Sequence, residues 1–136
     1  MTLTDAGPLL ALLDADEADH HRCVAALTDV TLPMLTTWPA FTEVMYLAGR
    51  SGGWPAQEAL WRLTDGEELV VAELSRKSMK RAAELMARYA SRPMDLADAT
   101  LVALAEERGI RRIFSLDSDF HIYRYRDRQR FEVYPL

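Results

Sequence analysis

Short apolar runs alternate along this chain with longer stretches in which apolar residues recur at helical spacing. The first run, residues 1–5 (MTLTD), predicts a short strand. Gly7-Pro8 then opens a helix with Leu9, Leu10, Leu12 and Leu13 as its apolar face. Proline is tolerated in a first turn, where its missing N–H has no helical partner. Residues 17–29 predict a second helix with Val24 and Leu27 turned inward. Residues 31–36 (TLPMLT) predict a strand, followed by a helix from Trp38 to Leu47 with Phe41, Val44, Met45 and Leu47 at helical spacing. Gly49 and Gly52-Gly53 end that helix, and residues 55–64 form another. Residues 68–73 (ELVVAE) predict a strand. A helix over residues 75–90 has Ser75 as N-cap and Met79, Ala82, Ala83 and Met86 as its inner face. A further helix over residues 94–108 stops at Gly109, and residues 111–115 (RRIFS) and 131–134 (FEVY) predict the last strands.

Strands separated by helices imply right-handed crossovers and a mainly parallel sheet covered on both faces. Sites in such sheets form at the carboxyl ends of the strands. The 136 residues suit one domain, and 49% hydrophobic with 27% charged residues excludes a disordered chain. No run approaches the roughly 18 apolar residues of a membrane span, and no basic leader opens the chain. The single cysteine, Cys23, excludes an intrachain disulfide and a cysteine metal site, so the expected setting is the cytoplasm.

The net charge of -5 argues weakly against a protein that coats duplex nucleic acid. The charge is uneven, however. Residues 1–68 hold 11 acids and three arginines, whereas residues 69–136 hold ten acids and 13 Lys/Arg. Arg124, Arg126, Arg128 and Arg130 alternate along YRYRDRQR, either as a solvated edge or as a strip contacting phosphates, with Tyr123 and Tyr125 between them.

The acids fall at chemically suggestive places. Asp5 ends the first strand, and Asp117 and Asp119 follow the strand RRIFS. Glu43 lies one turn into the helix after the second strand, on an otherwise apolar stretch. Asp95 and Asp98 share one helical face, and no Lys or Arg is spaced to neutralise Glu43 or Asp98 locally. Each acid alone reads as a cap or a surface group. Together they would repel one another unless a hard divalent cation, Mg2+ or Mn2+, sat among them.

These pieces (TDAGPLLALLDADEADH, TTWPAFTEVMYL, MDLADATLVALAEERG and IFSLDSDFHIYR) resemble, in order and spacing, the PIN domain and within it the VapC-type toxins of bacterial toxin–antitoxin pairs. The resemblance implies a single three-layer α/β/α PIN-like domain over residues 1–136, with a central, mainly parallel sheet of four or five strands. It implies a catalytic set of Asp5, Glu43, Asp98 and Asp117. Asp119 is the second choice to Asp117, and Asp95 is either a ligand through water or a cap. Ser115 would orient a carboxylate, and Ala6 stands where the family commonly has a hydroxyl residue. The implied activity is Mg2+- or Mn2+-dependent hydrolysis of RNA phosphodiesters, with single-stranded or loop RNA as substrate, a cognate antitoxin as partner, and a homodimer as the assembly. Arg124, Arg126 and Arg128 would contact the RNA backbone.

Two rival RNA-related readings keep the fold: a non-catalytic RNA- or partner-binding module, and a housekeeping RNA-processing nuclease. A phosphoacceptor signalling domain fails, because Asp5 stands alone after the first strand and no Lys follows Lys80. His20-His21 and Cys23 lack the companions of a soft-metal site, and Trp38, Trp54 and Trp61 read as core or semi-exposed packing residues or, alternatively, as a partner groove.

Overall fold

The computed structural model describes residues 1–136. Its main sheet has five parallel strands in the order β3-β2-β1-β4-β7. The strands are β1 (Thr2–Thr4), β2 (Met34–Thr37), β3 (Leu69–Ala72), β4 (Arg112–Phe114) and β7 (Glu132–Tyr134). The helices are α1 (Ala6–Leu13), α2 (His20–Ala26), α3 (Trp38–Asp65), α4 (Arg76–Arg88) and α5 (Leu96–Arg108). A 3-10 turn, Ser118–His121, and a small antiparallel hairpin of β5 (Arg124–Tyr125) and β6 (Gln129–Arg130) lie between β4 and β7. The architecture is the three-layer α/β/α arrangement expected, with the sheet at the upper end of the four or five strands. No helix is long and apolar enough to cross a membrane.

Register sorts the strand residues between two cores. Leu3 pairs with Leu35 on one side and Ile113 on the other, and all three face the core shared with α4 and α5. Met34 and Phe114 point to the opposite face, where α1, α2 and both halves of α3 pack, with Phe41 and Val44 before the break and Leu60 after it. Helix α5 is buried from Ala97 to Ala105, and its four alanines in that stretch let it approach the sheet and α4 closely. The strand order reverses between β1 and β4, so a crevice opens beyond their carboxyl ends.

Several helix faces differ from the expected ones. Val24 and Leu27 are exposed at 44% and 38%, and Cys23 and Ala26 fill the core instead. In α4 the inner face is Ser78, Ala82 and Leu85, while Met79 is 55% exposed and Ala83 is also outside. The rotation follows from polar partners: Ser78 Oγ donates to Glu107, and Arg81 pairs with Glu106 on α5. Ser75 caps α4 and Gly109 ends α5 in the left-handed region, as expected.

The helix expected over Trp38–Leu47 runs on past Gly49 and breaks at Gly53, one of the glycines expected to end it. Its φ of 64° and ψ of −157° lie in a region open essentially to glycine alone. Space is not the constraint, because an added Cβ would meet only Pro55 Cδ at 3.9 Å. Gly53→Ala is therefore expected to cost about 1–3 kcal/mol through backbone strain, read from urea unfolding. A loss below about 0.5 kcal/mol would mean that the two halves of α3 can join differently.

Candidate active site

Each acid at the crevice is held by the element that delivers it. Asp5 follows β1 and caps α1, its Oδ1 accepting from the Ala6 N–H at 2.8 Å. Its Oδ2 accepts from the Ser115 hydroxyl at 3.0 Å. Ser115 Oγ in turn accepts from the Asp117 N–H at 3.0 Å. Asp117 caps the 3-10 turn through Asp119 N–H at 2.9 Å. Asp95 caps α5, its Oδ1 accepting from Asp98 N–H at 2.8 Å. Asp98 lies in the first turn of α5, and its Oδ2 accepts from the Tyr123 hydroxyl at 3.0 Å.

Carboxylate oxygens of Asp5, Asp98 and Asp117 all lie within 4.8 Å of one another. With Glu43 and Asp95 they line a cleft of about 250 Å³ that holds no basic side chain. Asp5 and Asp98 are buried, Asp117 is half-buried, and Glu43 and Asp95 are exposed at the rim. Glu43 thus shares the cleft but stands outside the tight group of three.

The electrostatics follow from this crowding. Burial, then the charges of Asp5 and Asp95, pushes the Asp98 carboxyl up to about 8, against a smaller opposing effect of the Tyr123 hydrogen bond. Burial also raises Asp5, against the Ala6 and Ser115 donors, and partial burial followed by the charge of Asp5 raises Glu43. Burial and the Asp98 charge push the Tyr123 phenol well above its usual range, so it stays protonated and donates. Buried carboxyls this close are stable as anions only with a cation among them. An all-oxygen donor set suits a hard divalent ion such as Mg2+ or Mn2+. The residues present therefore fit the implied metal.

Other expected residues lie elsewhere. Asp119 is outside the cluster, its Oδ1 accepting from Arg92 at 3.2 Å. Arg124 donates to the carbonyls of His121 and Ile122, each at 2.9 Å, and closes the 3-10 turn. Arg126 lies over the Tyr125 ring at 4.9 Å, and its backbone N–H donates to Glu106 in the last turn of α5. Asp98 is in the first turn of that helix, about 12 Å away along the axis. Arg128 and Arg130 are exposed on the hairpin. The structure therefore does not bring these arginines to the carboxylates. Tyr123 and Tyr125 are core residues, at 0% and 6% exposure, and present no ring to stack on a base. What the sequence missed is Tyr123 as a partner of Asp98: it sits among arginines, which read as a surface run.

The PIN domain family matches residues 2–125. The chain belongs to the PIN-domain family. Ribonuclease VapC26 of Mycobacterium tuberculosis is 30% identical to it over 116 residues, covering 85% of each chain. The crystal structure of M. tuberculosis VapC20, a toxin that cleaves the sarcin–ricin loop, superposes with a TM-score of 0.80 at 21% identity, covering 88% of this PIN domain and 92% of that chain. A toxin–antitoxin complex from Klebsiella pneumoniae contains a chain of similar fold, with a TM-score of 0.69 at 17% identity, covering 88% and 90%. This PIN domain is thus VapC-like in sequence and fold.

Proposed function

We propose that this PIN domain is a divalent-cation-dependent endoribonuclease and the toxin of a toxin–antitoxin pair. The observation that carries the reading is the convergence of Asp5, Asp98 and Asp117 at the sheet's switch point with no basic partner. The ribonuclease relative supports RNA as the substrate. In this reading Asp5, Asp98 and Asp117 hold Mg2+ or Mn2+. Held there, the cation would supply a more acidic water and a positive charge opposite the phosphodiester. Glu43, at the rim with a raised carboxyl, takes the water's proton as oxygen attacks phosphorus. The bond to the 3′ oxygen breaks, leaving a 5′-phosphate and a 3′-hydroxyl. Asp95 fixes the first turn of α5 and thereby Asp98.

An antitoxin partner is supported by the fold shared with a chain of a toxin–antitoxin complex. It is also supported by an apolar groove beside the cleft, where Trp38 and Leu96 are 51% and 54% exposed. The substrate and partner would be met in the cytoplasm. The purified protein is expected to cleave single-stranded or loop RNA with Mg2+ or Mn2+, and to stop on adding EDTA. Cleavage that persists in EDTA, or no cleavage of any RNA with either ion, would overturn the metal-nuclease reading. Growth arrest on expression would separate a toxin from a housekeeping nuclease.

A further inference from the structure

We infer that Tyr123 is a positioning residue for the metal site: its hydroxyl fixes the Asp98 carboxylate in the orientation that receives the cation. The inference rests on the reading of the cleft as a metal site. Its basis is a single buried bond, from the Tyr123 hydroxyl to Asp98 Oδ2 at 3.0 Å. No other donor reaches the Asp98 side chain. The phenol cannot turn away. It is fully buried, with its ring edge-on to Tyr89 at 5.1 Å and to Phe120 at 5.2 Å. The Tyr123 hydroxyl thus pins one oxygen of Asp98 and fixes the plane of a carboxylate that clusters with Asp5 and Asp117.

The chemistry of the donor matters as much as its place. An Arg or Lys at this point would neutralise Asp98 and compete with the cation. A hydroxyl holds the carboxylate and leaves its charge intact. Ser115 stands in the same relation to Asp5, at the same 3.0 Å. The segment after β4 thus supplies one acid, Asp117, and a neutral holder for each of the two acids delivered by β1 and α5.

The test compares Tyr123→Phe with Tyr89→Phe. The first removes only the hydroxyl on Asp98. The second removes a neighbouring hydroxyl that accepts from the Arg124 N–H at 3.1 Å and does not touch the carboxylates. Mn2+ alone is titrated into each protein by calorimetry. Tyr123→Phe is expected to bind Mn2+ roughly tenfold to a hundredfold more weakly, and Tyr89→Phe as the parent does. In RNA cleavage, Tyr123→Phe should need more Mn2+ for half-maximal rate, with kcat recovered at saturation. Unchanged Mn2+ affinity in Tyr123→Phe, or an equal loss in both variants, overturns the inference while leaving the metal site standing. A parent protein that binds no Mn2+ overturns the metal reading and this inference with it.

Discussion

Asp98→Asn is expected to slow RNA cleavage severely and, in the same protein, to make the metal-free chain harder to unfold at pH 8. The first effect follows from the site. Asp98 contributes one of three clustered carboxylates, and an amide is a poor substitute for a charged ligand. A loss of roughly a thousandfold, the upper end of what removing one charge-stabilising group costs, is the expected rate change. The second effect has the opposite sign because the carboxylate is stressed. Its folded-state pKa of about 8 stands above the ordinary 3.8, with burial as the main cause. The folded chain therefore holds this proton more tightly than the unfolded chain does. The resulting stability is fully present below pH 4 and is lost as pH rises toward 8. Asparagine carries no such proton and escapes the loss. Thermal unfolding in EDTA should show Asp98→Asn melting a few degrees higher than the parent at pH 8, with the gap closing toward pH 4. A variant that melts lower at pH 8 would show that Asp98 stabilises the metal-free fold, contrary to the electrostatics above.

The second large effect is stabilisation by the cation. Mn2+ at about 100 times its dissociation constant should add roughly 2.7 kcal/mol to unfolding stability. For a chain of this length that corresponds to a rise of roughly 9 °C in Tm. The gain should shrink as pH falls, because the cation must displace protons from Asp98 and from the raised carboxyl of Asp5. Below pH 8, each unit should weaken apparent affinity by up to about tenfold for each proton displaced. Melting curves against Mn2+ concentration at pH 6, 7 and 8 measure both slopes. A Tm shift independent of pH would place the ion somewhere other than these carboxylates.

Much of the scaffold was legible because its strands are buried on both faces and read as apolar runs between glycine and proline breaks. The strand ends then put Asp5 and Asp117 in one crevice, and the pairing of β1 with β4 bears that out. Helix faces were less legible. In α2 and α4 the core takes Cys23, Ala26 and Ser78, while Val24 and Met79 stay outside. Periodicity ranks residues by hydrophobicity, but small residues decide how closely a helix can approach. The hairpin was hidden for a different reason. Its turn runs through Arg126 and Asp127, both at positive φ without the Gly or Asn that usually marks such a turn. Ion pairs distant in sequence were also illegible: Arg92 holds Asp119, 27 residues away, and Asp117 lies in the cluster.

The bond between Asp5 and Ser115 spans 110 residues. Because β1 lies between β2 and β4, its acid waits beside an incomplete sheet until the segment from Ser115 to Tyr123 has been synthesised. Any nascent or truncated chain that stops before residue 123 lacks the Tyr123 hydroxyl that holds Asp98. The three acids and the two hydroxyls that hold them therefore come together only when nearly all of the fold has been made.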